Sequence, residues 1–168
     1  MEVLPDIVGP DPLVVLCGVA GCERGRPRDH YYETPGNAFW GFLHESGLTT
    51  SRLSPGEDAR VVEHGLALTD LVQVADRPAV HDLAGLEAKV ERWQPEWLAF
   101  TSKTVAQAAA RALGVRPPGL GPAGWDIAGA PVFVLPGPSG ANRRRDYDGR
   151  PDRLSWWRDL AALVGREA

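Results

Sequence analysis

Three short apolar runs predict buried β-strands. They cover residues 13–19 (LVVLCGV), 97–100 (WLAF) and 131–135 (PVFVL). Each run is continuously apolar rather than alternating, which is typical of strands buried on both faces of a parallel sheet. A further apolar stretch, residues 66–72 (LALTDLV), is interrupted by one acidic residue, Asp70.

Helical patterns separate these runs. Apolar residues recur at helical spacing after Asn37 as far as Gly47, and Ser54-Pro55 predicts the start of a helix that ends near residues 64–65. Amphipathic helices are also predicted over residues 83–93, from about 103 to 113 and from about 153 to 164, whereas residues 117–124 predict a loop. Strands that alternate with helices indicate a three-layer α/β/α fold with a central, mostly parallel sheet, in a single domain over residues 1–168.

This architecture predicts where a ligand binds. In open α/β sheets, ligands bind beyond the carboxyl ends of the strands. The loops that follow Val19, Phe100 and Leu135 are therefore expected to face one site.

Composition narrows the classes of function. The chain has 22 acidic and 18 basic residues, so its net charge of −4 excludes a basic surface over the whole protein. Two cysteines exclude a disulfide scaffold, and the four histidines show no metal-ligand spacing, so we expect no metal and no cofactor.

The sequence also indicates where the protein is located. It has no apolar segment long enough to span a membrane, and it has no signal-peptide pattern. These features predict a cytoplasmic protein, which would be nucleoid-associated in a prokaryote. No heptad or repeated apolar stripe is visible, so a monomer is expected.

Positive charge is concentrated locally. Arginines outnumber acidic residues between residues 143 and 153, where they occupy positions 143, 144, 145, 150 and 153. This excess predicts a phosphate-binding patch, with a solvated loop as the alternative. Lys103 is expected at the same end of the sheet, and Arg24, Arg26 and Arg28 add positive charge at its rim.

The loop after the first strand has more than one interpretation. It is either a plain turn or a ligand-binding loop, because Gly18, Gly21 and Gly25 allow a close backbone approach. Cys22 and Arg28 also have the C-x5-R spacing of a phosphatase loop. The acid Glu23 and the amide-free Pro27 inside that loop argue against phosphate binding.

Three sequence blocks taken together indicate a family. They are residues 13–22 (LVVLCGVAGC), 31–40 (YYETPGNAFW) and 134–143 (VLPGPSGANR). In this order and at these spacings, the chain resembles the mismatch-specific uracil-DNA glycosylases, a group of the uracil-DNA glycosylase superfamily that includes the thymine-DNA glycosylases. The resemblance implies an α/β/α fold and a monofunctional enzyme that flips uracil, and other deaminated bases, out of DNA and hydrolyses the N-glycosidic bond.

The resemblance also implies catalytic positions, with one departure. The first family motif usually carries an asparagine that positions the attacking water, and Ala20 stands there, contributing only its backbone. Asp70 matches an aspartate that related proteins with alanine in this motif use, so we expect it to activate water or to stabilise the sugar cation. The alternative is that Asp70 caps a helix beginning at Leu71.

The remaining site residues follow from the same resemblance. Tyr32 is expected to stack on the flipped base, with an ordinary core tyrosine as the alternative. The pocket is expected to include Gly18, Val19, Asn37 and Gly137, although Asn37 could equally be a helix N-cap. Gly137 stands where relatives carry an asparagine or histidine. The loop that enters the duplex corresponds to Ser139, Gly140, Ala141, Asn142, Arg143 and Arg144, with Lys103 nearby. The partner is then double-stranded DNA that contains uracil or a G·U mismatch. A protein of the same fold that binds damaged DNA without cleaving it is the alternative.

Overall fold

A central five-stranded sheet organises the chain, in a computed structural model that describes residues 4–19, 28–74 and 80–167. The described strands are β1 (Val14–Gly18), β2 (Leu66–Asp70), β3 (Val72–Val74), β4 (Val80–His81), β5 (Trp97–Phe100), β6 (Gly121–Ile127) and β7 (Ala130–Val134). The sheet has the order β2-β1-β5-β7-β6, with β6 antiparallel to β7 and the other neighbours parallel. β3 and β4 form a separate antiparallel pair.

Helices cover both faces of this sheet. The described helices are α1 (Phe39–Ser46), a 3₁₀ helix (Pro55–His64), α2 (Leu83–Trp93), α3 (Lys103–Leu113) and α4 (Leu154–Leu163). Val14 and Leu16 of β1 belong to the core on the side of α1, α4 and the 3₁₀ helix. Val15 and Cys17 belong to the core on the side of α2 and α3. Because successive strand residues point to opposite faces, β1 is buried on both, and the predicted three-layer α/β/α fold is confirmed.

One predicted loop is a strand. Residues 117–124 were expected to be irregular, yet β6 begins at Gly121 and pairs with β7. Pro122 is tolerated because β6 is an edge strand, where one side of the backbone needs no partner. Gly121 and Gly124 have positive φ angles of 91° and 84°, and the pairing register shifts between Pro122 and Asp126. Proline and glycine therefore mark an irregular edge strand here.

The other predicted elements are confirmed with small changes. The helix after Ser54 is a 3₁₀ helix with a capping box between Ser54 and Glu57. The interrupted apolar stretch at residue 66 is β2, and its outer edge is covered by the N-terminal segment. Ile7 and Leu68 exchange both main-chain hydrogen bonds there, at 3.0 and 2.8 Å. This pairing protects the sheet edge next to Asp70.

Candidate functional site

A cleft of about 230 Å³ opens at the carboxyl ends of the parallel strands. Its walls include residues that follow three strands: Val19 after β1, Thr101 after β5 and Gly137 after β7. The loops after Phe100 and Leu135 face one cleft, as predicted, whereas the loop after Val19 lies outside the described residues. The cleft also contains the predicted residues Gly18, Tyr32, Asn37, Asp70, Ser139 and Gly140.

Strand register brings three of these residues together. Gly18 is the partner of Asp70 across β1 and β2. Thr101 follows β5, and its N–H donates to the Cys17 carbonyl of β1 at 3.0 Å. Gly18 continues the alternation of Val14 and Leu16, and Asp70 continues that of Leu66 and Leu68, so both face the α1 and α4 side.

Gly18 leaves space that its neighbours fill. A Cβ atom built on Gly18 would lie 2.8 Å from the Tyr32 hydroxyl oxygen, 3.1 Å from Asp70 Oδ1 and 3.3 Å from Thr101 Oγ1. The first of these distances is shorter than carbon and oxygen tolerate. The absence of a side chain at Gly18 therefore allows two hydroxyls and a carboxylate to converge at the floor of the cleft.

Tyr32 is held from two directions. Its ring stacks on Phe39, the first residue of α1, with centroids 3.8 Å apart and planes 16° from parallel. Its hydroxyl is hydrogen-bonded to Thr101 Oγ1 at 2.9 Å. Burial raises the pKa of this phenol above its usual range, so the hydroxyl stays neutral. Phe39 therefore covers one face of the Tyr32 ring, and Tyr32 lines the cleft.

Asp70 is the buried acid of the cleft. It is 4% exposed, and its Oδ2 accepts a hydrogen bond from Arg28 Nη2 at 2.5 Å. Burial raises the pKa of the Asp70 carboxyl to about 6, with Arg28 acting in the opposite direction. The residues after Asp70 lead into β3, so the alternative of a helix cap at this position is wrong.

This pKa predicts how stability depends on pH. Because the folded-state pKa lies above the ordinary value of 3.8, the folded protein favours protonated Asp70. The contribution of this group to unfolding free energy is therefore lost as pH rises from about 4 to 6, by about 3 kcal/mol. We expect Asp70→Asn to unfold several degrees above wild type at pH 7.5, with the difference vanishing near pH 4. Thermal unfolding of both proteins across this range tests it, and equal midpoints at pH 7.5 contradict it.

The two other motif blocks contact each other across the cleft. Ala38 N–H donates to the Pro138 carbonyl at 2.8 Å. A Cβ built on Gly140 would lie 2.8 Å from the Gly36 carbonyl oxygen, so the two loops approach closely only because residue 140 is glycine. Asn37 lines the cleft, and its Oδ1 accepts from Phe39 N–H at 2.9 Å, which supports the start of α1.

The loop after β7 is braced from within the protein. Arg153 Nη1 donates to the carbonyls of Gly137 and Ser139, both at 2.9 Å. Asn142 Nδ2 donates to the Gly137 carbonyl at 3.0 Å, so this predicted DNA-binding side chain holds its own loop. A Cβ built on Gly137 would have its nearest neighbour, Ser102 Cβ, at 3.5 Å. The cleft therefore has room where relatives are expected to carry a side chain.

The predicted basic patch is only partly open to solvent. Arg150 forms an ion pair with Asp159 at 2.7 Å, and its guanidinium lies over the Trp156 ring. Arg153 donates hydrogen bonds to main-chain carbonyls of the loop. Lys103 pairs with Asp148 at 2.6 Å. The exposed arginines of the loop and its flank are Arg143, Arg144 and Arg145, and they follow the exposed residues Ser139, Gly140 and Ala141. The positive charge available to a phosphate is thus concentrated at residues 143–145.

Some of the predicted site residues lie outside the described part of the chain, and one lies elsewhere than expected. Ala20, Cys22, Arg24 and Arg26 lie outside the described residues. Arg28 was expected at the rim, but its side chain is 12% exposed and turned onto Asp70. Sequence reasoning also missed Thr101, although its position directly after β5 signals the same edge of the sheet.

Residues 4–19, 28–74 and 80–167 contain neither a cluster of metal-ligating side chains nor a long apolar helix. Over those ranges, no group of three or more His, Cys, Asp or Glu side chains is arranged to hold a metal ion. In the same part of the chain, no helix is long and apolar enough to cross a membrane.

Comparisons with known proteins bear on the fold and the family of this chain. A solution NMR structure from Methanosarcina acetivorans, described as that of a candidate uracil DNA glycosylase, matches with a TM-score of 0.62 over 97% of each chain. At 15% identity, this likeness shows the fold alone. The family model of the uracil DNA glycosylase superfamily matches residues 5–161. Because that match spans nearly the whole sequence, the chain belongs to the uracil DNA glycosylase superfamily.

Proposed function

We propose that this protein is a monofunctional DNA glycosylase that removes uracil from double-stranded DNA, with preference for G·U mismatches. The observation that carries the proposal is a buried carboxylate, Asp70, beside the stacked ring of Tyr32 in the cleft of a uracil DNA glycosylase fold. This pairing supplies an anion for the sugar side of the bond and a platform for the base.

Asp70 is proposed to act on the sugar side. Cleavage of the N-glycosidic bond develops positive charge on the sugar and negative charge on the departing base. A carboxylate at this position stabilises the sugar cation and takes a proton from the attacking water. Asp70 Oδ1 lies toward Gly18 and Tyr32, within the cleft, whereas Oδ2 is bound to Arg28.

The base side of the cleft is proposed to be permissive. Tyr32 offers a ring face to any planar base, since stacking requires no specific hydrogen bonds. Gly137 presents no side chain to the base, and its carbonyl already accepts from Asn142 and Arg153. Main-chain N–H groups then supply the donors for the leaving base, so other deaminated bases are expected as weaker substrates.

The braced loop is proposed to face the duplex. Residues 139–141 are exposed next to the cleft, and Arg143 and Arg144 follow them. Ala141 is too small to fill the space of a flipped base by itself, whereas Arg143 has the length to reach the unpaired guanine. A guanine contact of this kind is the basis for the proposed G·U preference.

The test is base excision by excess enzyme on end-labelled duplexes. Substrates carry one G·U, A·U, G·T or G·hypoxanthine pair, and alkali breaks the abasic sites. We expect an alkali-dependent cut at uracil, fastest for G·U, and an intact strand without alkali. Equal rates for G·U and A·U contradict the mismatch preference. Tight binding without an abasic product from any substrate favours the non-cleaving DNA-binding protein.

Loss of the loop brace is expected to weaken DNA binding. Arg153→Ala removes both hydrogen bonds to the Gly137 and Ser139 carbonyls, so the loop no longer has one preferred shape. We expect affinity for a G·U duplex to fall about tenfold, as for loss of one or two charged hydrogen bonds. Arg158→Ala removes the same charge from an exposed position on α4 and is the control. Equal loss of affinity in both variants, by fluorescence anisotropy, contradicts a bracing role.

A further inference from the structure

Arg28 is the buried base closest to the acid of the cleft. Its side chain is 12% exposed, and that of Asp70 is 3% exposed. The guanidinium also lies against the Tyr31 ring, with Cζ 5.5 Å from the ring centroid. Tyr31 is itself fixed, because its hydroxyl donates to the Pro5 carbonyl at 3.0 Å and its N–H to Asp58 at 3.1 Å. Arg28 is therefore held in place rather than extended into solvent.

The pairing is selective for one carboxylate oxygen. Arg28 Nη2 binds Oδ2 of Asp70, while Oδ1 lies 3.1 Å from the Cβ position of Gly18. Gly18 and Tyr32 line the cleft next to Oδ1. A carboxylate that is bound at one oxygen cannot rotate freely, so the same oxygen always faces the reacting sugar and water.

We propose that Arg28 is a positioning residue for Asp70, which fixes Oδ1 toward the cleft and holds the buried carboxylate ionised at neutral pH. This inference rests on the proposed function, because it assigns Asp70 to the excision reaction. Arg28 also lines the cleft, but in this proposal it acts through Asp70 and not on the substrate.

Among the described residues, Arg28 is the charge that acts most strongly on the pKa of Asp70. The titratable and charged groups near Asp70 in this part of the chain are Arg28, Tyr31, Tyr32, Glu33 at the cleft wall, Cys17 of β1, Asp6 of the N-terminal segment and Lys89 of α2. Burial raises the pKa of Tyr31, Tyr32 and Cys17, so these three stay neutral. Asp6 and Lys89 pair with each other at 2.9 Å and act on the pKa of Asp70 in opposite directions.

The experiment is the pH dependence of single-turnover uracil excision from a G·U duplex in wild type, Arg28→Gln and Arg28→Lys. Wild-type activity should rise through pH 6 as Asp70 ionises. Without the guanidinium, this rise should move upward by about 1–3 pH units. Arg28→Gln should then be about tenfold slower at pH 7 and recover by about pH 9, as follows from a shift of about two units. Arg28→Lys keeps the charge, so its profile should stay close to that of wild type.

A purely structural role predicts a different result. If Arg28 only supports the fold, Arg28→Gln is slower by the same factor at every pH, and the midpoint of the rise stays near 6. That outcome overturns the proposal, as does an unchanged profile. Arg158→Gln, at an exposed position on α4, controls for the loss of one positive charge.

A second measurement separates this inference from the proposed function. The Asp70 carboxyl carbon is titrated by ¹³C NMR in wild type and Arg28→Gln, without DNA, with Asp70→Asn identifying the signal. An upward move of the midpoint shows that Arg28 keeps Asp70 ionised, and if the protein then excises no uracil, it is the proposed function that fails. An unmoved midpoint overturns it, even if the protein is an active glycosylase.

Discussion

The Asp70→Asn protein is expected to bind a G·U duplex as tightly as wild type and to release uracil about 10²–10⁴ times more slowly. Asparagine keeps the size of the side chain and an oxygen that accepts from Arg28, but it lacks the negative charge and the basicity. Because a neutral side chain suits this buried position, the variant should be folded at least as stably as wild type at pH 7.5. A loss of rate then reports on the chemical step. Single-turnover excision with saturating enzyme measures it.

A second buried carboxylate provides the control. Asp58 is 8% exposed and accepts from the Tyr31 N–H at 3.1 Å, but it does not line the cleft. Asparagine at position 58 retains an acceptor for that hydrogen bond, so Asp58→Asn should excise uracil within about twofold of the wild-type rate. If Asp70→Asn also cleaves at the wild-type rate, the water must be activated elsewhere. The main chain around Ala20 is then the next place to look.

Most strands of the sheet could be predicted from apolar runs. A strand that is buried on both faces is apolar at every position, so it stands out from the polar segments around it. β1, β5 and β7 were expected within two residues of their observed bounds. β6 was missed because Pro122 and Gly124 predict a loop, and only tertiary pairing with β7 makes the segment extended. The apolar residues at every second position, Ala123, Trp125 and Ile127, were the available sequence signal.

The cleft was predictable where strand ends define it. Gly18, Asp70 and Thr101 lie at one edge because parallel register places them there, and Tyr32 came from the family resemblance. The Arg28–Asp70 pair was not predictable. The two residues are 42 positions apart in the sequence, and Arg28 stands at the end of a segment rich in charged residues. An arginine in such a loop normally predicts a solvated side chain, and only the fold shows that it is buried.

The loop residues illustrate a different limit. Residues 143–153 were expected to bind phosphate because of their arginines. The sequence alone does not distinguish an arginine that contacts DNA from one that stabilises a loop by hydrogen bonds to its carbonyls. Arg150 and Arg153 are engaged within the protein, and Asn142 and Lys103 also have internal partners. Local carbonyls and carboxylates compete for these donors, and the backbone conformation decides between them.

Gly18→Ala is expected to lower single-turnover excision at least about 100-fold while leaving the fold intact. The added methyl group would meet the Tyr32 hydroxyl at 2.8 Å and Asp70 Oδ1 at 3.1 Å, so both the stacking ring and the acid must move. Displacement of reacting groups by about 1 Å is enough for a loss of this size. Gly56→Ala is the control, because a Cβ there meets no atom within 4 Å.

A double substitution tests the cause of that loss. Tyr32→Phe removes the hydroxyl that lies closest to the added methyl group but keeps the ring that stacks on Phe39. Alone, it should slow excision only about fivefold, because it deletes the hydrogen bond to Thr101 and leaves stacking in place. Combined with Gly18→Ala, it should restore part of the lost rate, so that the two changes are less damaging together than their separate effects predict. Strict additivity would mean that the methyl group acts through Asp70 or Thr101, and the position of the Tyr32 hydroxyl would then not be the reason that residue 18 must be glycine.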